Sequence, residues 1–320
     1  METILTKDVS RTFRTKKGVI KALENTNISV NAGELFGVLG PNGAGKTTLI
    51  KILSTLLLPT SGEAYVLGYN VEKEANKIKP RINMVSGGEF SGYGLLTVKE
   101  NLWMFSQFYG IPSKEAKKRI NELLELVQLE DKKDSKVRTL SSGQRQKMNI
   151  IRGFMTDPDV IFLDEPTLGL DVTTSRTIRK FIQNWLREDR SRTILLTTHH
   201  MLEAEELCDR IAVIDNGKVL VVDTPENLKQ RVRRDVVLNL VVEPVVDVNW
   251  VSSMEGVKGC LARERENGLS LLLRVVLEDD TPIADILAGI TNQNARVVHV
   301  EKKEPTLEDV FLALVGKGLE

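Results

Sequence analysis

The chain has 320 residues, which at roughly 150 residues per domain suggests two domains rather than one or four. Hydrophobic residues make up 41% and charged residues 28%, values of an ordinary globular protein that exclude disorder and fibrous repeats. Lys plus Arg and Asp plus Glu each total 44, so there is no bulk field to draw in nucleic acid or an anionic membrane, and any anionic ligand must be held by local geometry. Residues 2–9 and 19–30 alternate apolar and polar side chains around Lys16-Lys17-Gly18, predicting short antiparallel strands. Leu35-Phe36-Gly37-Val38-Leu39 is a continuous apolar run, as expected of a parallel strand buried on both faces, and similar runs recur at 160–163, 193–197 and 211–214. Between them, 97–109, 113–127 and 141–155 carry apolar residues at helical spacing, with Gly110 and Pro112 marking the first break.

The pattern changes after Asp223-Thr224-Pro225, where a short charged helix ending Arg231-Val232-Arg233-Arg234 leads into new strand-like runs at 236–242 and 269–276. The expected organisation is a first domain over 1–222, a linker over 223–235 and a small α+β domain over 236–320, with helices at 282–290 and 305–315. Cys208 and Cys260 match no disulfide or metal-ligand spacing and read as ordinary apolar-side residues of a reducing compartment. A spanning helix needs ~20 mostly apolar residues. The greasiest stretches are broken by Lys51, Ser54, Asn239 and Glu243. The start of the chain places Lys7 and Arg11 ahead of no apolar core, so no secretory signal is expected. A cytoplasmic chain is the expectation.

Gly40-Pro41-Asn42-Gly43-Ala44-Gly45-Lys46-Thr47 satisfies G-x-x-x-x-G-K-[ST] between a predicted strand and a predicted helix. Its glycines let the backbone turn tightly and aim N–H groups at phosphate oxygens, the helix N-terminus adds a positive dipole end, and Lys46 can reach the outer phosphates. Thr47 offers a hydroxyl to Mg²⁺, with Thr48 next on the same turn. Such a loop alone leaves kinases, GTPases and several ATPase classes open. Val160-Ile161-Phe162-Leu163-Asp164-Glu165-Pro166 then puts two carboxylates at the end of a hydrophobic strand, where α/β sheets carry ligand-facing groups. Asp164 suits Mg²⁺, a hard cation that prefers oxygen ligands, and Glu165 suits a general base acting on water.

With Leu140-Ser141-Ser142-Gly143-Gln144 opening a helix, the sequence resembles the ATP-binding cassette (ABC) family, whose signature reads LSGGQ; Ser142 stands in place of its first glycine. The resemblance implies a P-loop ATPase core with an antiparallel β subdomain and a helical subdomain, covering residues 1–222. It further implies that Asp171 belongs to a D-loop at a dimer seam, and that His199, rather than His200, is the switch histidine facing a γ-phosphate. Phe13 sits where family members stack an aromatic on adenine. The family's Q-loop glutamine is missing: Ser86-Gly87-Gly88-Glu89-Phe90 stands there, and Glu89 or a water bound by Ser86 is expected to substitute. Glu304-Pro305-Thr306-Leu307-Glu308-Asp309-Val310-Phe311 resembles the closing helix of drug-resistance, daunorubicin-type exporter ATPases. ATP and Mg²⁺ are the implied ligands. The implied partners are a second copy, which completes each site with Ser141, Ser142, Gly143 and Gln144 in trans, and a separately encoded integral-membrane permease. The chain would then work as an exporter's ATPase subunit, peripheral on the inner face of the cell membrane, with no nucleic acid as partner. The competing reading is a soluble cassette ATPase acting on ribosomes or nucleic acid; such proteins usually carry two cassettes or long inserted coiled coils, and neither is seen here.

Overall fold

The computed structural model describes residues 2–16, 18–87, 92–231, 236–265, 268–303 and 306–315. They fall into two compact units, 1–222 and 223–320. The first unit opens with β1 (Glu2–Thr15), β2 (Gly18–Thr26) and β3 (Ser29–Asn31), followed by β4 (Leu35–Leu39) and α1 (Lys46–Leu53). Next come β5 (Ser61–Val66), β6 (Tyr69–Asn70), α2 (Ala75–Ile78) and β7 (Ile82–Ser86). Three helices form the helical part: α3 (Val98–Phe108), α4 (Ser113–Leu126) and α5 (Ser142–Phe154). The chain returns through β8 (Val160–Asp164), α6 (Val172–Glu188), β9 (Thr193–Thr198), α7 (Met201–Leu207), β10 (Arg210–Asp215) and β11 (Lys218–Asp223).

Two sheets organise this unit. One runs β2-β1-β5-β6, with β3 also on β1, and its pairs are antiparallel; the other runs β11-β10-β4-β9-β8-β7. From β10 to β7 every pair of the second sheet is parallel. Every residue of β4, β8 and β9 is buried, which explains their largely apolar runs. Ile4, Val30, Phe36, Leu49 and Leu195 share one core between the layers. Cys208 is buried against β4, since a Cβ on Gly37 would lie 2.6 Å from its Sγ. Burial pushes its thiol well above the usual range, as fits an apolar-side residue. The first strand is longer than its alternation suggested and reaches Thr15, because a register shift after Val9 hands it from β5 to the hairpin partner β2. The predicted strand over 19–30 is two strands, β2 and β3, parted at Asn27 and Ile28.

Helix starts follow their capping chemistry. Thr97 and Glu100 form a capping box at α3, and Ser141 and Gln144 form one at α5. Each box satisfies two backbone N–H groups that a helix start otherwise leaves without partners.

The second unit holds α8 (Pro225–Arg231), β12 (Val236–Glu243), β13 (Val257–Glu264), β14 (Leu271–Leu277), α9 (Ile283–Asn292), β15 (Arg296–Lys303) and α10 (Leu307–Val315). Its sheet is antiparallel in the order β13-β14-β12-β15. Leu240, Leu273, Ile286 and Ile290 form a core with α9, while Val237, Val276 and Leu312 form a second with α10. Segment 223–235, read as a linker, thus contributes a helix to this unit. Among the described residues no helix is long and apolar enough to cross a membrane.

Candidate functional site

The loop between β4 and α1 has the geometry of an anion cradle. Gly43 and Gly45 take positive φ values of 81° and 106°, which favour glycine, and a Cβ on Gly45 would lie 2.4 Å from the Ala22 carbonyl oxygen. Gly45 caps α1 without a side-chain hydrogen bond, and no acidic residue stands in the first turn, so the N-terminal N–H groups and the positive dipole end meet no competing carboxylate of their own helix. Pro41, Asn42, Gly43, Gly45, Lys46, Thr47 and Thr48 line a cleft of about 150 Å³ together with Ala22 and Glu165. Gly40 and Ala44 set the loop's base: a Cβ on Gly40 would lie 2.2 Å from the Ile214 carbonyl oxygen, and the Ala44 carbonyl accepts from Gly217 N at 3.0 Å. Lys46 is 5% exposed, and its Nζ donates to the carbonyls of Gly40 (2.7 Å) and Pro41 (3.1 Å).

β8 delivers the carboxylates to this cleft. Asp164 is 7% exposed; its Oδ2 accepts from the Thr47 hydroxyl at 2.8 Å and its Oδ1 from the Thr197 hydroxyl. A hydroxyl and a carboxylate held in contact are hard oxygen donors, a set that fits Mg²⁺. Among the described residues no three His, Cys, Asp or Glu side chains cluster as a metal cage. A cation here would therefore take its remaining ligands from phosphate oxygens and water, the usual habit of Mg²⁺. Glu165 projects from a strained turn with φ 50°, held by Glu165 N donating to the Thr197 carbonyl at 3.0 Å. Its Oε1 is 3.0 Å from Lys46 Nζ, and its Oε2 is 3.0 Å from His199 Nδ1. His199, not His200, is thus the histidine joined to Glu165. The two rings lie 4.1 Å apart; burial first, and the neighbouring His199 second, hold His200 below the usual imidazole value.

Other predicted residues lie apart from this centre. Ser141 and Ser142 are exposed at the start of α5. Gln144 is half-buried and engaged with Ser141, and Gly143 packs against Thr174, 3.2 Å from where its Cβ would be. Asp171 caps the adjacent α6 through Thr174, whose backbone N–H and hydroxyl hold its carboxyl below the usual range. Phe13 lies on β1 under the Arg11 guanidinium, 4.6 Å from its ring centroid. Ser86 ends β7, half-buried and in register with Asp164, whereas Glu89, Glu304 and Pro305 lie outside the described residues.

Three contributors escaped the sequence reading. Gly87 N donates to the Asp164 carbonyl at 2.7 Å, and a Cβ there would collide with the Glu165 carbonyl. Thr197 holds Asp164, and Gln146 Nε2 donates to the Pro166 carbonyl at 3.0 Å. The Gly87-Gly88 pair after a strand was a signal for close backbone approach; the other two act only through space and leave no spacing to read.

The family profile described as "ABC transporter" matches residues 23–168, and "ATP-binding protein DrrA1-3-like, C-terminal domain" matches 224–315. The ABC transporter ATP-binding protein NatA of Bacillus subtilis is 38% identical over 79% of this chain and 97% of its own length. The daunorubicin resistance ATP-binding protein DrrA2 of Streptomyces coeruleorubidus is 32% identical over 95% of this chain and 93% of its own. The Nod factor export ATP-binding protein I of Ralstonia nicotianae is 34% identical over 96% and 93%. Among solved structures, a dimeric ATP-binding cassette, MJ0796, in a post-hydrolysis state bound to ADP and Pi superposes with a TM-score of 0.63 at 30% identity, covering 69% of this chain and 98% of that one.

Proposed function

Because this chain belongs to the ABC transporter ATP-binding family and is an ATPase of that family, we propose that it powers a separately encoded membrane permease as the ATP-hydrolysing subunit of an exporter, closing as a homodimer on ATP. The carrying observation is that Lys46, Glu165 and His199 form one bonded chain at the mouth of the phosphate loop, beside the Thr47–Asp164 pair. The loop from Gly40 to Thr48 binds the phosphates through backbone N–H groups and Lys46. Thr47 and Asp164 would hold Mg²⁺, which would supply neutralisation of phosphate charge. Glu165 orients the attacking water and takes its proton at a carboxylate oxygen, an effect worth typically ~10²–10⁴ in rate. His199 keeps Glu165 aimed and faces the γ-phosphate, and Phe13 stacks on the adenine.

Each site is completed by the other copy, whose Ser141, Ser142, Gly143 and Gln144 close over the nucleotide while Asp171 lines the seam. The exposure of Ser141, Ser142 and Asp171 supports this, as does the dimeric state of the similar cassette. Loss of the phosphate bridge on hydrolysis reopens the dimer and passes motion to the permease. Ser86 or Glu89 would take the water-ordering part of the Q-loop glutamine that the family resemblance leads one to expect, and the register of Ser86 with Asp164 supports Ser86. Export is supported by relatives named for Nod factor export and for daunorubicin resistance. The chain then works on the inner face of the cell membrane without entering it. Affinity purification of the tagged chain from membranes, with mass identification of the proteins that co-purify, tests this: a polytopic membrane protein is expected, and recovery only with ribosomes or nucleic acid would overturn it.

A further inference from the structure

We propose that Glu203 is a positioning residue for hydrolysis: a strut that ties the helix following His199 to the turn running from Glu165 to Asp171. The proposal rests on the roles given above to Glu165 and His199. Glu203 lies in the first turn of α7 and is 1% exposed. Its Oε1 accepts from the Thr167 hydroxyl at 2.8 Å; its Oε2 is buried with no hydrogen-bond partner. Burying an acid this way is costly, and an apolar pair of similar volume would pack the same space without that cost. Its placement therefore calls for a reason beyond packing.

The reason lies in the two segments it joins. Glu165 is tied to the strand end before His199 through its N–H on the Thr197 carbonyl (3.0 Å) and to His199 itself by one side-chain bond, and both ties lie upstream of the turn and of the helix they lead into. Glu203 and Thr167 add a bond beyond the strand ends, four residues along from His199 and two along from Glu165, which fixes how α7 is oriented against the turn. The turn is braced on its other sides as well. Gln146 of α5 bonds the Pro166 carbonyl, and Leu170 N donates to the Thr167 carbonyl at 3.2 Å, just before Asp171 caps α6. A displacement of His199 toward a γ-phosphate is thus carried by α7, through Glu203 and Thr167, to the residues leading into Asp171. Glu203 touches no reacting atom; it acts by keeping Glu165 and His199 in one frame.

Steady-state ATPase kinetics on Glu203→Ala, Glu203→Gln, Thr167→Val, Thr167→Ser and the Glu203→Ala/Thr167→Val double variant test the strut. Glu203→Ala and Thr167→Val should each lower kcat about tenfold with KM for ATP within about twofold, because a misaimed base slows chemistry without weakening phosphate binding. The conservative Glu203→Gln and Thr167→Ser, which keep the acceptor and the hydroxyl, should recover to within about threefold of the parent. The double variant should be no slower than either single, since both remove one interaction. Losses that multiply in the double variant, no recovery in the conservative pair, or unchanged rates would each overturn the proposal. Should Glu203→Ala fail to fold, Thr167→Val against Thr167→Ser still decides. Glu165→Gln, run in parallel, separates the two levels: full activity there refutes the functional reading, whereas an inactive Glu165→Gln beside a fully active Thr167→Val refutes the strut alone.

Discussion

Glu165 carries the strain of the site in its own backbone. A non-glycine residue at φ 50° costs on the order of 1–2 kcal/mol, and it is held there by the Thr197 carbonyl on one side and the Gly87 backbone on the other. Gly87 has no room for a side chain, because its Cβ would overlap the Glu165 carbonyl oxygen. Gly87→Ala is therefore expected to move the Glu165 peptide by an appreciable fraction of an ångström and lower the ATPase rate about 10²-fold, with ATP affinity within about threefold. Parallel rate and nucleotide-binding measurements check this; a full rate would show that Glu165 tolerates displacement. Lys46, Thr47, Asp164 and Glu165 were legible in the sequence because phosphate and water chemistry asks for those groups at fixed offsets from a strand end, whereas His199 was singled out by the family resemblance alone. Gly87, Thr197 and Glu203 were not, because each works by approaching a partner that only the folded sheet brings near.

At the scale of elements, the strands that read clearly were those buried on both faces. β4, β8 and β9 are buried at every position and largely apolar, so their runs stand out. β15 is an exposed edge strand, and its mixed sequence carries no such pattern. The closing helix α10 shows a different mark: the resemblance singled out its sequence, and the structure gives that stretch a packing role. Leu307, Val310, Phe311 and Leu312 are all buried, and Asp309 is fully buried against Arg274 of β14 through two bonds of 2.7 Å. Arg274 also reaches Glu308 at 2.9 Å, so one guanidinium pins the helix to the sheet. Arg274→Ala strands the buried Asp309 and is expected to cost about 3 kcal/mol. Calorimetry should place that loss in a transition insensitive to ATP and leave the ATP-stabilised transition unmoved, since each unit has its own core. A joint fall of both transitions would contradict this independence.

For the whole molecule, zero net charge is compatible with an anionic substrate through local means: in the proposed site, backbone N–H groups, Lys46 and a cation at Thr47 and Asp164 would do the work that a basic surface does elsewhere. A single chain presents Ser141 and Ser142 exposed, with Gln144 and Asp171 spent on capping helices rather than on its own phosphate loop. That division is what makes the second copy central to the account. Light scattering on Glu165→Gln at saturating Mg-ATP is the most direct test of it. With hydrolysis blocked and ATP retained, the expected mass is twice that of the chain, returning to one chain when ATP is removed. A Glu165→Gln protein that binds ATP yet stays monomeric would contradict it.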